Sequence, residues 1–292
     1  MTHSHAGSAG NVKRVQIALV LTGAFMLVEV AGGIISGSLA LLADAGHMLT
    51  DTMALALAAV AFRVSARPAD SRRSYGYQRF QILAAFVNGL SLLGIVGWIL
   101  LEAVQRFLSP VNVMGTTMLL VAAAGLLVNL VSFLVLHGGD RENLNIQGAA
   151  THVAGDLLGS VAAIVAAVVI ISTGWMPIDP ILSVVVALLI LRSAWQLVKR
   201  SAHILLEGAP EWLDVEEMQR QIVARVPAVT GIHHVHVWGL TPQHPMLTMH
   251  ISLLELPGDT TPIVRLVKEV LRDEYGIGHS TIEVETDDCA DE

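Results

Sequence analysis

The chain has 292 residues, of which 53% are hydrophobic and only 14% charged, and its formal net charge is −8. An average soluble domain is about one-quarter charged, so a disordered chain, a coiled coil and a disulfide scaffold are excluded and a soluble enzyme is disfavoured. The charge is also unevenly spread: residues 1–200 carry 12 Lys/Arg against 9 Asp/Glu, a balance of +3, and residues 201–292 carry 5 against 16, a balance of −11.

Residues 1–14 read as a polar N-terminal tail, without the apolar stretch and small-residue cleavage site of a signal peptide. His3 and His5 form a short tract within it, read as part of a disordered tail in preference to a metal-capturing arm. Six apolar stretches follow, at about 15–35, 39–62, 80–104, 114–136, 147–172 and 178–198, each near the ~20 residues that a spanning helix requires. Breakers separate them: Gly37-Ser38, Arg67-Pro68, Ser109-Pro110, Gly138-Gly139 and Trp175-Met176-Pro177. Lys13, Arg14, Arg63, Arg67, Arg72, Arg73, Arg79, Arg141, Lys199 and Arg200 flank one side of these stretches, and only Arg106 lies on the other. By the positive-inside rule both termini face the cytoplasm. The expected organisation is a tail over 1–14, a six-helix transmembrane domain over 15–200, a linker over 201–210 and a cytoplasmic domain over 211–292.

Ionisable residues inside spanning helices are costly and point to function. The second stretch contains His47 and Asp51, and the fifth contains His152 and Asp156. Each pair is His-x-x-x-Asp, which puts both side chains on one helix face, a turn apart. One such pair could be a hydrogen bond between helices, but two copies in apolar spans argue for a shared site. Two imidazoles and two carboxylates close a tetrahedron suited to Zn²⁺. Asp44, three residues before His47, faces the same side and is read as orienting His47 or relaying protons. Glu29, Asn88 and Asn129 read as interhelical hydrogen-bonding groups along the pathway, whereas Glu102 and Asp179 lie near the outer surface and require no functional explanation. The antiparallel placement of the two motifs suggests an inverted three-plus-three repeat.

Beyond residue 210 the pattern is that of a soluble domain. Residues 214–225 read as an amphipathic helix capped by Asp214, residues 232–238 and 246–254 as strands around a Gly239–Pro245 turn region, residues 261–275 as a second helix stopped by Gly276, and residues 281–285 as a last strand. This αββαβ order predicts a small α+β sandwich. With under 90 residues its core is limited, so dimerisation and metal binding are expected supports. Six of the twelve histidines lie within 233–279, among which His234 and His236 read as strand residues and His244 as a turn residue. Cys289, the only cysteine, excludes an intramolecular disulfide.

The segment Leu42-Ala43-Asp44-Ala45-Gly46-His47 with Asp51, the His152–Asp156 pair, Leu205-Leu206-Glu207-Gly208-Ala209-Pro210, and His233 with His236-Val237-Trp238 together resemble the cation diffusion facilitators. These are zinc and heavy-metal/proton antiporters, and the likeness is strongest to the bacterial zinc and zinc/cobalt/cadmium efflux branch and to animal zinc transporters. The resemblance implies an α-helical membrane protein, a six-helix bundle with a metallochaperone-like tail domain, acting as a homodimer in the plasma (inner) membrane. It implies a transport site of His47, Asp51, His152 and Asp156. It also implies tail-domain ligands at His233, His250, His279 and Glu285, with Asp287 a further match, and an interlock of Arg79 with Glu207. A second site between the second and third helices is not expected, because that connection offers Asp70 alone among five arginines.

The expected function is Zn²⁺/H⁺ antiport, with Zn²⁺ as transported ion and regulatory tail ligand, and the lipid bilayer, protons and a second copy as partners. No nucleic acid is expected. The same donors could serve an intramembrane zinc metallohydrolase, but no His-Glu-x-x-His is present, no Glu base adjoins either pair, and four ligands leave no water position. A pure metal sensor lacks an output domain. A broader exporter of Cd²⁺, Co²⁺ or Fe²⁺ stays open, because donor type alone does not rank these ions.

Overall fold

The computed structural model describes residues 4–137, 144–286 and 289; side chains are described from residue 16 onward, except those of residues 51, 54, 55, 58, 59, 62, 144–152, 154 and 155. Arg141, His3 and Asp287, and the side chains of His5, Lys13, Arg14, Asp51 and His152, lie outside the described set. Among the described residues there are eight helices and three strands: α1 (Ser4–Ser36), α2 (Leu39–Ser65), α3 (Phe80–Leu108), α4 (Gly115–His137), α5 (Leu144–Thr173), α6 (Ile178–Leu205), α7 (Val215–Arg225), β1 (Val229–Thr241), β2 (His244–Leu253), α8 (Thr261–Tyr275) and β3 (His279–Glu285). They form two compact units, one from residues up to Leu57 together with Val87–Leu197, the other from Ala58–Phe86 together with the residues from Val198 onward.

The long helices overrun the apolar stretches that announce them. Hydropathy marks only the part that suits lipid, whereas a helix propagates one hydrogen bond per residue until the backbone is interrupted. So α1 begins at Ser4, α3 runs to Leu108 ahead of Ser109-Pro110, and α6 continues to Leu205. Among the described residues, five helical stretches are long and apolar enough to cross a membrane: Gln16–Ser36, Phe80–Leu108, Gly115–His137, Asp156–Thr173 and Ile178–Leu205, with mean hydropathies of 2.1 to 2.6. In α2 the described apolar stretch is the shorter Leu39–Thr50, within a helix of 27 residues about 40 Å long.

The first unit has its apolar side chains facing outward. Leu101, Leu120, Leu158 and Leu189 are each about two-thirds exposed, while Glu29, Asp44, Asn129, Asp156 and Asp179 are buried. An apolar surface of this extent suits hydrocarbon. Small residues close the interior. Leu39 and Ala43 of α2 pack with Leu92, Val96, Ile99 and Ala103 of α3 and with Ala187, Ile190 and Ala194 of α6. Ala40 and Leu41 pack instead with Met118 and Ala122 of α4 and with Ala163, Ala166, Ala167 and Ile170 of α5. The N-terminal half of α2 therefore contacts both groups of helices.

Asp179, read above as lying near the outer surface with no function to explain, is fully buried and has a structural role: it caps α2 from another helix. Its carboxylate accepts hydrogen bonds from Ser38 Oγ at 2.6 Å and from the backbone N–H groups of Leu39 at 2.7 Å and Ala40 at 3.2 Å. Ser38 Oγ accepts in turn from the Leu41 N–H at 3.2 Å. Three of the orphan donors at the helix start are thereby satisfied, with negative charge at the positive end of the helix dipole. Arg106 ties in α3, donating to Glu102 Oε1 at 2.9 Å and to the Gly37 carbonyl at 2.5 Å, 3.7 Å from Asp179 Oδ2.

In the second unit, the α2–α3 connection folds around Asp70. Its carboxylate accepts from Tyr77 Oη at 2.6 Å and from the backbone N–H groups of Arg72 and Arg73, each at 2.8 Å. These bonds, that of Tyr77 foremost, hold the carboxyl below the usual carboxylate range. The tail contributes a three-stranded sheet, ordered β1-β2-β3, with β1/β2 antiparallel and β2/β3 parallel. Met218 and Ile222 of α7, Val267, Val270 and Leu271 of α8, and Leu247, Met249 and Ile251 of β2 form its core. Asp214 caps α7 by accepting from the Glu217 N–H at 3.0 Å, and Gly276, at φ 61°, ends α8 in the left-handed conformation. The Gly239–Pro245 turn region is shorter than its composition suggests. Thr241 still pairs with His244, so only Pro242 and Gln243 make the turn.

Candidate metal sites

In the first unit, α2 carries Asp44, His47 and Asp51, and α5 carries His152, Asp156 and Ser160. Asp44 and Asp156 are each 3% exposed, and His47 is half-buried. The two helices meet where α5 lacks a side chain: a Cβ on Gly159 would stand 2.6 Å from Asp44 Oδ1. Gly159 is three residues from Asp156, and Asp44 three from His47, so this close approach is one helical turn from both motifs. The carboxyls of Glu29 on α1 and Asp44 adjoin. Glu29 in turn rests against α4, where a Cβ on Gly125 would come within 3.0 Å of its Oε1. Asn129 of α4 donates to Ser160 Oγ at 3.2 Å, the kind of interhelical bond its sequence position suggests. Sequence reading missed the contribution of Gly159, since a glycine in an Ala/Val-rich helix carries no sign of the partner it makes room for.

In the second unit, Arg79 and Glu207 form an ion pair at 3.2 Å. Glu207 lies just beyond α6 with φ 61°. The Gly208 N–H bonds to the His203 carbonyl at 2.8 Å, and the Glu207 N–H to the Ile204 carbonyl at 3.1 Å, which is the Schellman pattern. Glutamate thus occupies the position where glycine is usual, in a conformation that disfavours a side chain.

The sheet assembles a second group of donors. His233 and His250 are cross-strand partners on β1 and β2. His233 Nε2 is 3.0 Å from Glu285 Oε2, and His250 Nδ1 is 2.9 Å from Glu285 Oε1. Glu283 Oε2 is 3.7 Å from His250 Nε2. His279 is not brought to this group. It pairs with Met246 at the other end of β3, four residues or ~13 Å along the strand from Glu283, with its ring edge-on to Tyr75 at 6.1 Å. His244 Nδ1 contacts Thr241 Oγ1 at 2.8 Å in the turn, and His236 is exposed opposite Thr248.

Regular strand alternation would send His234 away from His233. Instead three steps on β1 from His233 to His236 match two on β2 from His250 to Thr248, which is a β-bulge, and His234 adopts φ 46°. Its ring centroid then lies 5.3 Å from that of His233 and 5.0 Å from that of His250. Cys289 Sγ is 3.3 Å from His234 Nδ1 and 3.7 Å from His250 Nδ1. One donor atom from each of His233, His234, His250 and Cys289 lies within 4.8 Å of every other.

The cation efflux transmembrane domain matches residues 15–206 of this chain, and the cytoplasmic domain of cation efflux proteins matches residues 210–287. The chain belongs to the cation efflux family. The zinc transporter ZitB of Pectobacterium atrosepticum is 50% identical over 294 residues, covering 100% of this chain and 91% of that protein. The metal cation efflux system protein CzcD of Cupriavidus metallidurans is 42% identical, covering 98% and 90%. A cadmium, cobalt and zinc/H⁺-K⁺ antiporter of Bacillus velezensis is 41% identical, covering 97% and 91%. This cation efflux protein is accordingly a multi-pass membrane transporter and not an enzyme, and the hydrolase reading of its intramembrane donors falls away.

Proposed function

We propose that this cation efflux protein exports Zn²⁺ from the cytoplasm in exchange for protons, binding the ion at His47, Asp51, His152 and Asp156. The observation that carries the reading is the close approach of α2 and α5 at Gly159 and Asp44, one turn from both His-x-x-x-Asp motifs. Two neutral imidazoles and two carboxylates suit Zn²⁺ at about 2.0–2.2 Å, and every one of these donors must shed or lack a proton to bind it. Zinc and protons therefore compete for the same atoms. Facing an acidic exterior, His47 and His152 take up protons and the ion leaves; facing the cytoplasm, they lose them and the site reloads. Asp44, one turn from His47, orients that imidazole. Rocking of the helices around the site gives alternating access.

The setting proposed is the inner membrane, with the lipid bilayer around the helices, both termini in the cytoplasm and a homodimer as the working unit. Zn²⁺ at His233, His250 and Glu285 acts there as a regulatory ligand, favouring one dimer arrangement by its differential affinity for it. His279 joins this proposal only as a residue against the α2–α3 connection. The Arg79–Glu207 pair links the α2–α3 connection to the end of α6, so that the two shift together.

Proteoliposomes test the reading. A pH gradient drives zinc flux in the wild type, and Asp51→Ala or Asp156→Ala abolishes it. Survival of flux in either variant overturns the site assignment. Cd²⁺ or Co²⁺ flux equal to that of Zn²⁺ at matched pH replaces zinc by a broader cargo and leaves the site in place.

A further inference from the structure

The tail group holds more donors than the His233, His250 and Glu285 set requires. We infer that His234 and Cys289 join His233 and His250 in a thiolate-bearing site for a soft or borderline divalent cation, Zn²⁺ or Cd²⁺. The inference rests on the tail-domain metal reading proposed above and goes beyond it by adding the two donors that reading leaves out.

Three observations carry it. First, the distances suit a coordination shell. Metal–nitrogen and metal–sulfur bonds of about 2.0 and 2.3 Å around a tetrahedral ion set its donors roughly 3.3–3.6 Å apart. Cys289 Sγ lies 3.3 Å from His234 Nδ1 and 3.7 Å from His250 Nδ1. Second, His234 reaches the group through a bulge in the strand and a backbone at φ 46°, a conformation disfavoured for a residue with a side chain. Third, Glu285 touches the same two imidazoles from another side, at 3.0 and 2.9 Å. One ion held by His233 and His250 thus has both a carboxylate and a thiol within reach.

Chemistry distinguishes the two closures. A carboxylate suits harder ions, and a thiolate favours zinc and, more strongly, cadmium. On binding, the Cys289 S–H bond breaks, the electron pair passes to the metal and the proton goes to solvent, while the imidazoles bind in their neutral form. Ligation also fixes Cys289 against the β1–β2 bulge. The tail therefore reads which ion is present as well as how much.

Because Cys289 is the only cysteine, any sulfur-to-metal signal reports on it alone. The experiment titrates Co²⁺ into the full-length protein in detergent, in an Asp51→Ala, Asp156→Ala background that removes the transport site. A thiolate-to-cobalt charge-transfer band in the near ultraviolet is expected alongside the visible d–d bands. Cys289→Ser loses the first and keeps the second, and His234→Ala weakens the first. Cobalt d–d bands without a charge-transfer band in the parent protein overturn this inference and leave the carboxylate–histidine site standing. Absence of both bands overturns the tail site altogether. Alkylation provides an independent readout: Cd²⁺ abolishes iodoacetamide labelling of Cys289, and His250→Ala restores it, whereas equal labelling with and without Cd²⁺ refutes thiolate ligation.

Discussion

Both units of this transporter gather histidines and carboxylates, yet they position them by opposite means. In the helical unit, regular i,i+4 spacing on α2 and α5 sets the donors, and the backbone around them is unstrained. In the tail the grouping depends on an irregularity, a bulge that turns His234 back among its neighbours. Burial differs as well. Asp44 and Asp156 lie deep among helices, whereas His234 is exposed and His233 half-exposed. A transport site of the kind proposed must hold an ion among helices and release it, a task for which donors on rigid elements suit. A sensing site at a solvent-facing sheet can use a strained strand and residues that follow its last element.

If the two sites are separate, Asp156→Ala abolishes zinc flux and leaves cobalt binding in the tail unchanged; loss of both in one variant breaks the comparison. Next in size is Asp179→Ala, which strands the N-terminal N–H groups of α2 and lowers bundle stability by about 3 kcal/mol. Thermal unfolding in micelles reads this loss, and the tail transition stays where it was. Gly159→Ala forces a methyl group against the Asp44 carboxylate and costs about 1–3 kcal/mol with a marked drop in flux. Gly97→Ala is its control, since nothing lies within 4 Å of a Cβ there, and helix propensity makes that change neutral or stabilising by up to about 1 kcal/mol. The smallest effect expected is that of His234→Gly. It relieves the left-handed backbone and stabilises the metal-free tail by roughly 1 kcal/mol, while weakening its metal binding. A tail destabilised by this change would mean that the bulge is held by packing and not by strain.

Much of this molecule is legible in its sequence because two periodicities are strong. Twenty-residue apolar runs mark the helices, and Thr261 and Gly276 bound α8 to the residue. The His-x-x-x-Asp pairs stand out because ionisable groups are rare in such runs. What escaped has physical causes. The cap that Asp179 makes is not legible because 140 residues separate it from Leu39 in the chain. Gly159 is defined by what it leaves out. Pro245 signalled a loop, yet it closes a strand against Gly239. The His233-His234 doublet contradicts strand alternation on its face, and that contradiction was the available signal of a bulge.

The bonds from Asp179 to the first residues of α2 make that end of the helix a fulcrum. While they hold, these bonds oppose sliding of α2 past α6 and leave tilting about Leu39 the less costly movement. His47 lies eight residues down the lever, about 12 Å from the pivot, so a tilt of about 10° carries its imidazole roughly 2 Å. Asp51, four residues further on, travels farther still for the same tilt. If the four motif residues hold the ion as proposed, such a swing of one pinned helix separates the donors of α2 from those of α5 unequally, by the largest amount at the residue farthest from the pin.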